Sequence, residues 1–274
     1  MTYRRWQADD WQGWRAADAP VDVAACLAAH AQGGGRRSRH AWSQRLETAH
    51  GVVFVKSYPA PGARRARRAF AMGRALVAAG FAAPSAVLVG WRDGTGLLVT
   101  ADAGGDDLLT AVARLAGPDG RQRQAKRALL HGLGAEVARL HRAGFVHGDL
   151  VPPNLRWTGE TFVLLDNDRT HRVHLPLQTR RNLVQLGRFV VGGVSATDRM
   201  RVLWSYAAAR GLGRHRRHRL ARWAMRKITA RRCAIDHIAP EVAARAGFRT
   251  LMRSGGPFDP AAHTRFDLAG GAAG

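Results

Sequence analysis

The 274-residue sequence predicts an α+β fold with two lobes, a β-rich N-terminal lobe and a helical C-terminal lobe. Strand signals dominate the first hundred residues, where β-branched and apolar residues gather at 52–55, 87–89 and 97–100. Helical periodicity dominates afterwards, with helices expected over about 122–143 and repeatedly beyond 178. The two kinds of element are segregated along the chain, whereas a parallel α/β fold would alternate them.

The elements of the first lobe can be placed from local signals. A hairpin is expected over 39–58, with its turn at 49–51 and its second strand ending near Lys56. A helix is expected over 63–79, because arginines and apolar residues there can segregate to opposite faces before Gly80 stops the helix. The lysine therefore closes a strand that directly precedes a helix.

We expect the N-terminal lobe to cover 1–101 and the C-terminal lobe to cover 102–253. Asp106 is a candidate cap for the first helix of the second lobe. The last segment, 254–274, is rich in Gly, Ala and Pro, which predicts a flexible tail.

The composition is strongly basic, with 43 Lys or Arg residues against 20 Asp or Glu, a formal charge of +23. Such an excess predicts a polyanionic neighbour: nucleic acid, an anionic membrane face or a phosphorylated small molecule. The densest block, 199–232, holds 12 cationic residues and no acid, and aromatic residues interleave them. We expect this block to contact an anion, whereas Lys126 and Lys227 are expected to be solvated helix residues. Trp11 and Trp14, with Trp6 nearby, either pack in the core, which is the favoured interpretation, or anchor at a membrane interface.

Two cysteines about two hundred residues apart indicate a reducing compartment rather than a disulfide framework. The N-terminus lacks the apolar stretch of an export signal, and no uninterrupted apolar run is long enough to span a bilayer. The expected location is therefore cytoplasmic.

The segment 145–170 contains the polar residues that are most informative about chemistry. Asp149 follows His147 and Gly148, Asn154 comes five residues later, and an apolar strand ends in Asp166. Phosphoryl transfer needs a carboxylate near the incoming hydroxyl and metal ligands near the phosphates. The spacing lets Asp149 face the acceptor while Asn154 and Asp166 hold Mg²⁺.

Residues flanking this segment extend the pattern. Lys56, at the end of an apolar strand, can reach the α and β phosphates of a bound nucleotide. His147 is interpreted as a structural residue of the loop. Asp168 is either an additional metal ligand or a polar cap for the residues that follow. Several motifs in this order, with the expected strand and helix context, predict a kinase-like fold far better than any one motif.

At these residues the chain resembles the bacterial lipopolysaccharide kinase family, which includes the Kdo kinases and the heptose kinases of the WaaP type, a branch of the protein-kinase-like fold. The resemblance covers about 33–191 and rests on RRSRHAW before FVKSY, on HGDLVPPNL, on LLDNDRT and on RRNLVQLGRF. It implies a bilobal protein-kinase-like fold, ATP and Mg²⁺ as cosubstrates, and a sugar hydroxyl of the lipid A–core region as acceptor. By that match Asp149 is the catalytic base, Asn154 and Asp166 are metal ligands, and Lys56 binds phosphate.

Two features depart from the usual kinase pattern. No Asp or Glu occurs from 57 to 92, so Lys56 needs a partner other than a helix glutamate, such as Asp166. The phosphate loop has no G-x-G-x-x-G pattern. The consecutive residues Gly33, Gly34 and Gly35, with Ser38, are the candidates for nucleotide contacts there.

The favoured hypothesis is an ATP-dependent kinase of a cell-envelope glycolipid, monomeric and peripheral at the cytoplasmic face of the inner membrane. A second hypothesis is a phosphotransferase for a small molecule such as an aminoglycoside, although a cationic substrate suits the basic C-terminal lobe poorly. A third is a catalytically weak kinase fold that binds RNA or anionic lipid. Nucleic acid ranks last among the partners because the sequence carries no RNA-specific motif.

Overall fold

A computed structural model describes residues 1–38, 40–173, 176–189 and 193–235. The chain forms two compact units. Unit 1 contains residues 1–104 and 163–170, and unit 2 contains 105–162 and the described residues from 171 onward. The predicted α+β architecture is confirmed, since one unit is built on a sheet and the other is mostly helical. The segment predicted as a flexible tail, 254–274, lies outside the described residues.

Unit 1 is built on a seven-stranded antiparallel sheet with two helices. Its elements are β1 (Tyr3–Ala8), β2 (Trp11–Ala16), α1 (Val23–Gln32), β3 (Arg36–Arg37), β4 (Trp42–Thr48), β5 (Gly51–Tyr58), α2 (Ala63–Ala78), β6 (Ala86–Arg92) and β7 (Thr95–Ala101). The order across the sheet is β1-β2-β6-β7-β5-β4-β3. The expected hairpin and helix are therefore present, as β4 with β5 and as α2.

The alternation of side chains along β5 divides the core of unit 1 into two clusters. Val55 belongs to the cluster that includes Cys26 of α1, and Tyr58 belongs to the cluster that includes Phe70 of α2. Successive side chains of a strand point to opposite faces. Lys56 therefore lies on the same face as Tyr58, the face that α2 covers.

The N-terminal tryptophans pack in the core, and the packing interpretation is confirmed. The half-buried Trp14 packs against the cluster that includes Tyr58. Trp6 and Trp11 are buried in β1 and β2, a hairpin that the sequence did not predict. The indole Nε1 of Trp6 donates to the carbonyl of Val89 at 3.0 Å. A Cβ on Gly90 would lie 2.6 Å from the Trp6 ring, so the ring needs glycine at that position.

Unit 2 is mainly helical, with short strand pairs between the helices. Its elements are β8 (Asp106–Asp107), α3 (Leu108–Arg114), α4 (Gly120–Arg142), β9 (Phe145–Val146), β10 (Leu155–Trp157), β11 (Phe162–Leu164), β12 (His171–Arg172), α5 (Pro176–Gly187), α6 (Ala196–Ala209) and α7 (Arg214–Ile235). The chain passes from unit 2 back to unit 1 within β11. Helices α4 and α6 pack so closely that a Cβ on Gly134 would lie 2.3 Å from the Val202 carbonyl oxygen. No helix among the described residues has the length and apolar character required to cross a membrane.

The cap of α3 is Asp107, and the prediction of Asp106 was wrong by one residue. The Asp107 carboxylate accepts from the backbone N–H groups of Leu109 and Thr110, both at 3.0 Å. Asp106 precedes the cap, and its carboxylate pairs with Arg114 at 2.6 Å instead. The cap must lie directly before the first helical residue, because only there do the free N–H groups of the first turn come within reach.

The expectation for the two helix lysines is confirmed for Lys227, which is exposed, and wrong for Lys126. The Lys126 ammonium lies 3.1 Å from the carboxylate of Asp198 and donates to the carbonyl of Gly193 at 2.9 Å. The Asp198 side chain is only 3% exposed. Arg201 and the capping residue Ser195 also bond to it, at 2.5 and 3.0 Å. Lys126 thus helps to neutralise a buried carboxylate.

We predict that Lys126→Ala lowers the free energy of unfolding by about 2 kcal/mol, because the buried Asp198 carboxylate loses one of its cations. Lys227→Ala is the matched control, and we expect it to change stability by less than about 0.5 kcal/mol. Urea denaturation of both variants measures the difference. Equal stability of the two variants would contradict the ion pair as a stabilising contact.

Candidate active site

The candidate phosphate-binding residues of unit 1 form a compact ion cluster. The ammonium of Lys56 lies 2.5 Å from Asp166 Oδ1 and 3.7 Å from Asp168 Oδ2. The Lys56 side chain is 18% exposed, Asp166 is 35% exposed and Asp168 is 8% exposed. Asp166 is the partner that the sequence suggested for Lys56 in the absence of an acid on α2. One edge of the cluster therefore remains accessible to solvent, at Asp166.

Asp166 is held in an uncommon backbone conformation. Its φ of 54° and ψ of 62° lie in the left-handed region, which residues other than glycine seldom adopt. The flanking residues fix this turn. Leu164 N–H donates to Ala82 O at 2.9 Å, and the Asn167 amide donates to Leu164 O at 2.9 Å. Strained backbone of this kind persists where surrounding contacts over-determine it, and such residues are concentrated at functional sites.

Helix α2 packs on the turn that follows Asp166, over residues 167–169. The guanidinium of Arg68 donates from Nε to the carbonyl of Thr170 at 3.3 Å. The Thr170 hydroxyl donates to the side-chain oxygen of Asn167 at 3.1 Å. The helix that carries a glutamate in most kinases here contributes an arginine, and that arginine bonds to the backbone of the aspartate segment.

The charges of the cluster shift one another's ionisation. Burial alone would lower the pKa of the Lys56 ammonium, but the oxygens of Tyr58 and Asp166 raise it overall. Burial, followed by the charge of Asp166, raises the pKa of Asp168 to about 6. The lysine is therefore a permanent cation beside at least one carboxylate at neutral pH.

The second set of predicted residues lies in unit 2, on the loop after β9. The side-chain amide of Asn154 donates to the backbone carbonyl of Asp149 at 3.0 Å and lies 3.4 Å from its Oδ2. Residues 152–154 form a single 3₁₀ turn, and this turn brings the Asn154 side chain back to Asp149, five residues earlier in the chain. Asp149 and Asn154 are both half-buried. The structure thus places both residues on a single loop, as the spacing predicted, and adds a direct contact between them.

Two amide side chains of α5 hold the backbone of this loop. Asn182 Oδ1 accepts from the N–H of His147 at 3.2 Å. Gln185 accepts from the N–H of Leu150 at 3.3 Å and donates to the carbonyl of Gly148 at 2.8 Å. The two amides also bond to each other at 2.9 Å. Asp149 therefore sits on a loop segment whose backbone is bonded on both sides of it.

A buried histidine extends this network. His141 of α4 bonds through Nε2 to Asn182 Oδ1 at 3.1 Å and through Nδ1 to the hydroxyl of Tyr206 at 3.0 Å. A carbonyl oxygen only accepts, so Nε2 carries the proton and Nδ1 accepts from the tyrosine. Burial lowers the pKa of His141 to about 4. The neutral ring links α4 and α6 to the amide that bonds the loop.

Sequence reasoning did not single out Asn182, Gln185 or His141. For Asn182 and Gln185 the one visible signal is that two polar residues spaced by three fall within the apolar stretch NLVQLG, and no such signal marks His141. Such residues are buried only when their hydrogen bonds are satisfied. The prediction that His147 is structural agrees with its complete burial.

The glycine run and Ser38 belong to unit 1, where the glycines connect α1 to β3 and Ser38 directly follows β3. The N–H of Gly33 closes the end of α1 by donating to His30 O at 3.3 Å. Gly35 has φ of 74°, and a Cβ there would lie 2.3 Å from Ser43 O. The Ser38 hydroxyl donates to Ala41 O at 2.8 Å. These contacts give the glycines and the serine local structural roles, and their contact with a nucleotide stays a prediction.

Each unit offers an oxygen ligand of the kind that Mg²⁺ takes in proteins. Carboxylate and amide oxygens are the protein ligands that Mg²⁺ prefers, and it usually takes one or two carboxylates together with substrate phosphates. Asp166 offers a partly exposed carboxylate. The Asn154 amide donates through its nitrogen, which leaves its oxygen as the atom for a cation. Among the described residues, no three His, Cys, Asp or Glu side chains gather into a metal site.

The sheet unit with its strand lysine and the helical unit with its H-G-D loop define a kinase-like fold. Residues 53–206 match the model of the lipopolysaccharide kinase (Kdo/WaaP) family. More than half of the chain is matched, and the chain therefore belongs to this family. The matched range contains Lys56, Asp149, Asn154 and Asp166, while the glycine run lies before it.

Solved structures support the same fold. The chain is similar to a structure described as "WaaP in complex with acyl carrier protein", with a TM-score of 0.57 and 24% sequence identity. The similarity covers 74% of this chain and 90% of that one. Among curated proteins, no match is found. The expected kinase-like fold is confirmed.

We predict that His141 makes stability depend on pH. Its folded pKa of about 4 lies below the ordinary value of 6.5, so the unfolded chain binds the proton more tightly. The stabilisation is complete above pH 6.5 and is lost as the pH falls towards 4, by roughly 3 kcal/mol. Urea denaturation between pH 7.5 and 4.5 measures this change.

The comparison needs two variants, because carboxylates also titrate in this range. His141→Gln should remove the histidine component from the pH dependence, while His215→Gln, an exposed histidine of α7, should retain the wild-type dependence. An unchanged pH dependence in His141→Gln would contradict a neutral buried histidine.

Proposed function

We propose that the protein is an ATP-dependent kinase that phosphorylates a sugar hydroxyl of a lipopolysaccharide-core or Kdo-lipid A type glycolipid. The observation that carries this proposal is the Lys56–Asp166 ion pair within the range matched by the family. A lysine paired with a partly exposed carboxylate suits a triphosphate and its metal ion. Family membership supports the lipopolysaccharide class of acceptor.

Each candidate residue has a role in the proposed reaction. Lys56 binds the α and β phosphates of ATP, and Asp166 and Asn154 hold Mg²⁺. When bound, Mg²⁺ neutralises charge that develops on the phosphate oxygens. Asp149 accepts the proton of the sugar hydroxyl as the oxygen attacks the γ phosphate, and ADP leaves. Phosphoryl transfer relies on positioning and charge, and the hydrogen bonds of the Asp149 loop provide positioning.

The pairing of Lys56 weakens the hypothesis of a catalytically weak binding protein. That hypothesis rested on the +23 charge and on the absence of a helix glutamate, which would leave the lysine without its usual partner. Here Asp166 and Asp168 provide the negative charge that keeps the ammonium oriented. The small-molecule phosphotransferase remains the second candidate, and the basic unit 2 argues against a cationic acceptor.

The cationic residues of α7 support an acceptor and a surface that are anionic. Arg214, Arg219, Arg222 and Arg226 are exposed on one helix that carries no acidic residue. A basic residue near an anionic leaflet contributes about 1 kcal/mol of membrane attraction. We therefore propose peripheral binding at the cytoplasmic face of the inner membrane. Acyl carrier protein, which accompanies WaaP in the similar structure, is a further partner to test.

We predict that Asp149→Asn lowers transfer of the γ phosphate to lipid A–core glycolipid by at least about 100-fold, the usual contribution of a general base. Transfer of label from ATP to purified glycolipid measures the rate. Glu160→Gln, which removes an exposed acid from the same unit, is the control and should retain full activity. Equal rates for the wild type and Asp149→Asn would rule out this role.

A separate prediction concerns nucleotide binding. Mg-ATP at 100 times its dissociation constant should stabilise the wild type by about 2.7 kcal/mol. Lys56→Met should weaken ATP binding at least tenfold and reduce this thermal shift, because the triphosphate loses its cation. Lys227→Met, an exposed lysine of α7, should shift as the wild type does. A full shift in Lys56→Met would contradict a phosphate contact at this lysine.

A further inference from the structure

A groove of about 470 Å³ lies between α5 and α7 in unit 2. Leu177, Val184, Trp223 and Ala230 supply its apolar lining. Its other lining residues are the cations Arg181, Lys227 and Arg231. The groove contains none of the residues assigned above to phosphoryl transfer.

Each helix contributes a row of apolar and cationic side chains to the groove. On α5, Leu177, Arg181 and Val184 follow one another at intervals of four and three, and therefore share a helix face. On α7, Trp223 and Lys227 repeat the interval of four. The two rows bring apolar surface and positive charge together along the same channel.

The apolar surface of the groove is unusually accessible. Leu177 is 66% exposed, and only two other large apolar residues among those described, Met1 and Val77, are similarly exposed. The Trp223 ring, half-buried, has the Arg180 guanidinium 5.5 Å from its centroid. An exposed apolar surface beside a polar rim indicates a binding site rather than ordinary solvated surface.

The charge of the groove restricts its occupant. Within the described part of the chain, all charged residues of its lining are cations, and α7 carries no acidic residue that would neutralise them. Guanidinium groups bind phosphate oxygens through paired hydrogen bonds. The apolar floor favours hydrocarbon, by about fourfold in affinity for each methylene group buried. A ligand that satisfies both surfaces has an alkyl chain and a phosphate group.

We propose that the groove between α5 and α7 binds an acyl chain and a neighbouring phosphate of the glycolipid acceptor. This inference rests on the proposed function, because it assigns the lipid part of the acceptor to a second surface of the enzyme. The groove thus binds the lipid part of the acceptor, while the sugar hydroxyl that reacts binds at the separate site of phosphoryl transfer. It therefore favours an acylated, phosphorylated acceptor over the same sugar without lipid.

The binding experiment uses dodecyl phosphate below its micelle concentration, with the full-length protein and isothermal titration calorimetry. Dodecyl phosphate should bind at least tenfold more tightly than inorganic phosphate, which lacks the chain, or than dodecyl maltoside, which lacks the charge. Lys227→Glu and Leu177→Asp should each weaken this binding at least tenfold. Arg123→Glu on exposed α4 surface and Val77→Asp in unit 1 are the matched controls, and both should bind within twofold of the wild type.

A kinetic experiment links the groove to the acceptor. Leu177→Asp should raise KM about tenfold for the acylated acceptor and leave KM for the deacylated sugar acceptor unchanged. Thermal unfolding of each variant, with and without Mg-ATP, separates loss of folding from loss of the groove.

The outcomes distinguish this inference from the proposed function. Suppose that kinase activity persists, but that the wild type binds dodecyl phosphate weakly or that Lys227→Glu and Arg123→Glu lose affinity for it equally. Either result would overturn the proposal that the groove binds the acceptor. Specific dodecyl phosphate binding without transfer from ATP to any glycolipid would overturn the proposed function and leave the groove as an amphiphile site. A loss of activity in Leu177→Asp that is equal for both acceptors would also overturn the inference.

Discussion

Unit 1 depends on the pairing of one lysine with the carboxylates of a distant segment. Lys56 lies on the sheet face that packs the cluster of Tyr58 and Phe70, and its side chain is mostly buried. A buried ammonium without a counter-charge would cost several kcal/mol. Asp166 and Asp168 offset that cost, which explains why residues 163–170 belong to unit 1 although the chain on either side belongs to unit 2. The ion pair thus holds the Lys56 ammonium in place and ties residues 163–170 to unit 1.

The two units hold their candidate residues by different means. In unit 1 the contacts are between full charges, which suits the contacts with phosphate and a metal ion that we propose for these residues. In unit 2 the loop that carries Asp149 is bonded by neutral amides, Asn182 and Gln185, and by a neutral histidine. Neutral partners orient the loop without placing another charge beside Asp149. The carboxylate can therefore serve a proton transfer while its backbone stays fixed.

The sequence predicts what depends on local pattern and misses most of what depends on distant partners. The β4–β5 hairpin, α2 and the placement of Asp149 and Asn154 on one loop follow from alternation, periodicity and short spacing. The Lys56–Asp166 pair spans 110 positions and was suggested only because α2 offers no acid. The bonds from Gln185 to the loop join residues 35 apart or more, and Lys126 meets Asp198 across 72 positions. No local pattern specifies such pairs, because they arise only when helices pack. The β1–β2 hairpin was missed because its aromatic residues also suited a membrane anchor.

The charge excess now separates into cations that build the fold and cations that face solvent. Arg199 is buried and donates to the carbonyls of Gly187 and Phe189, and Arg201 pairs with Asp198. These arginines satisfy groups that would otherwise be buried unpaired. The exposed arginines of α7 satisfy no such group among the residues that the structure describes, and like charges on one helix repel one another, which destabilises it. An anionic partner would relieve this repulsion and so stabilise the helix. The groove between α5 and α7 adds apolar surface, which favours a partner that also carries hydrocarbon.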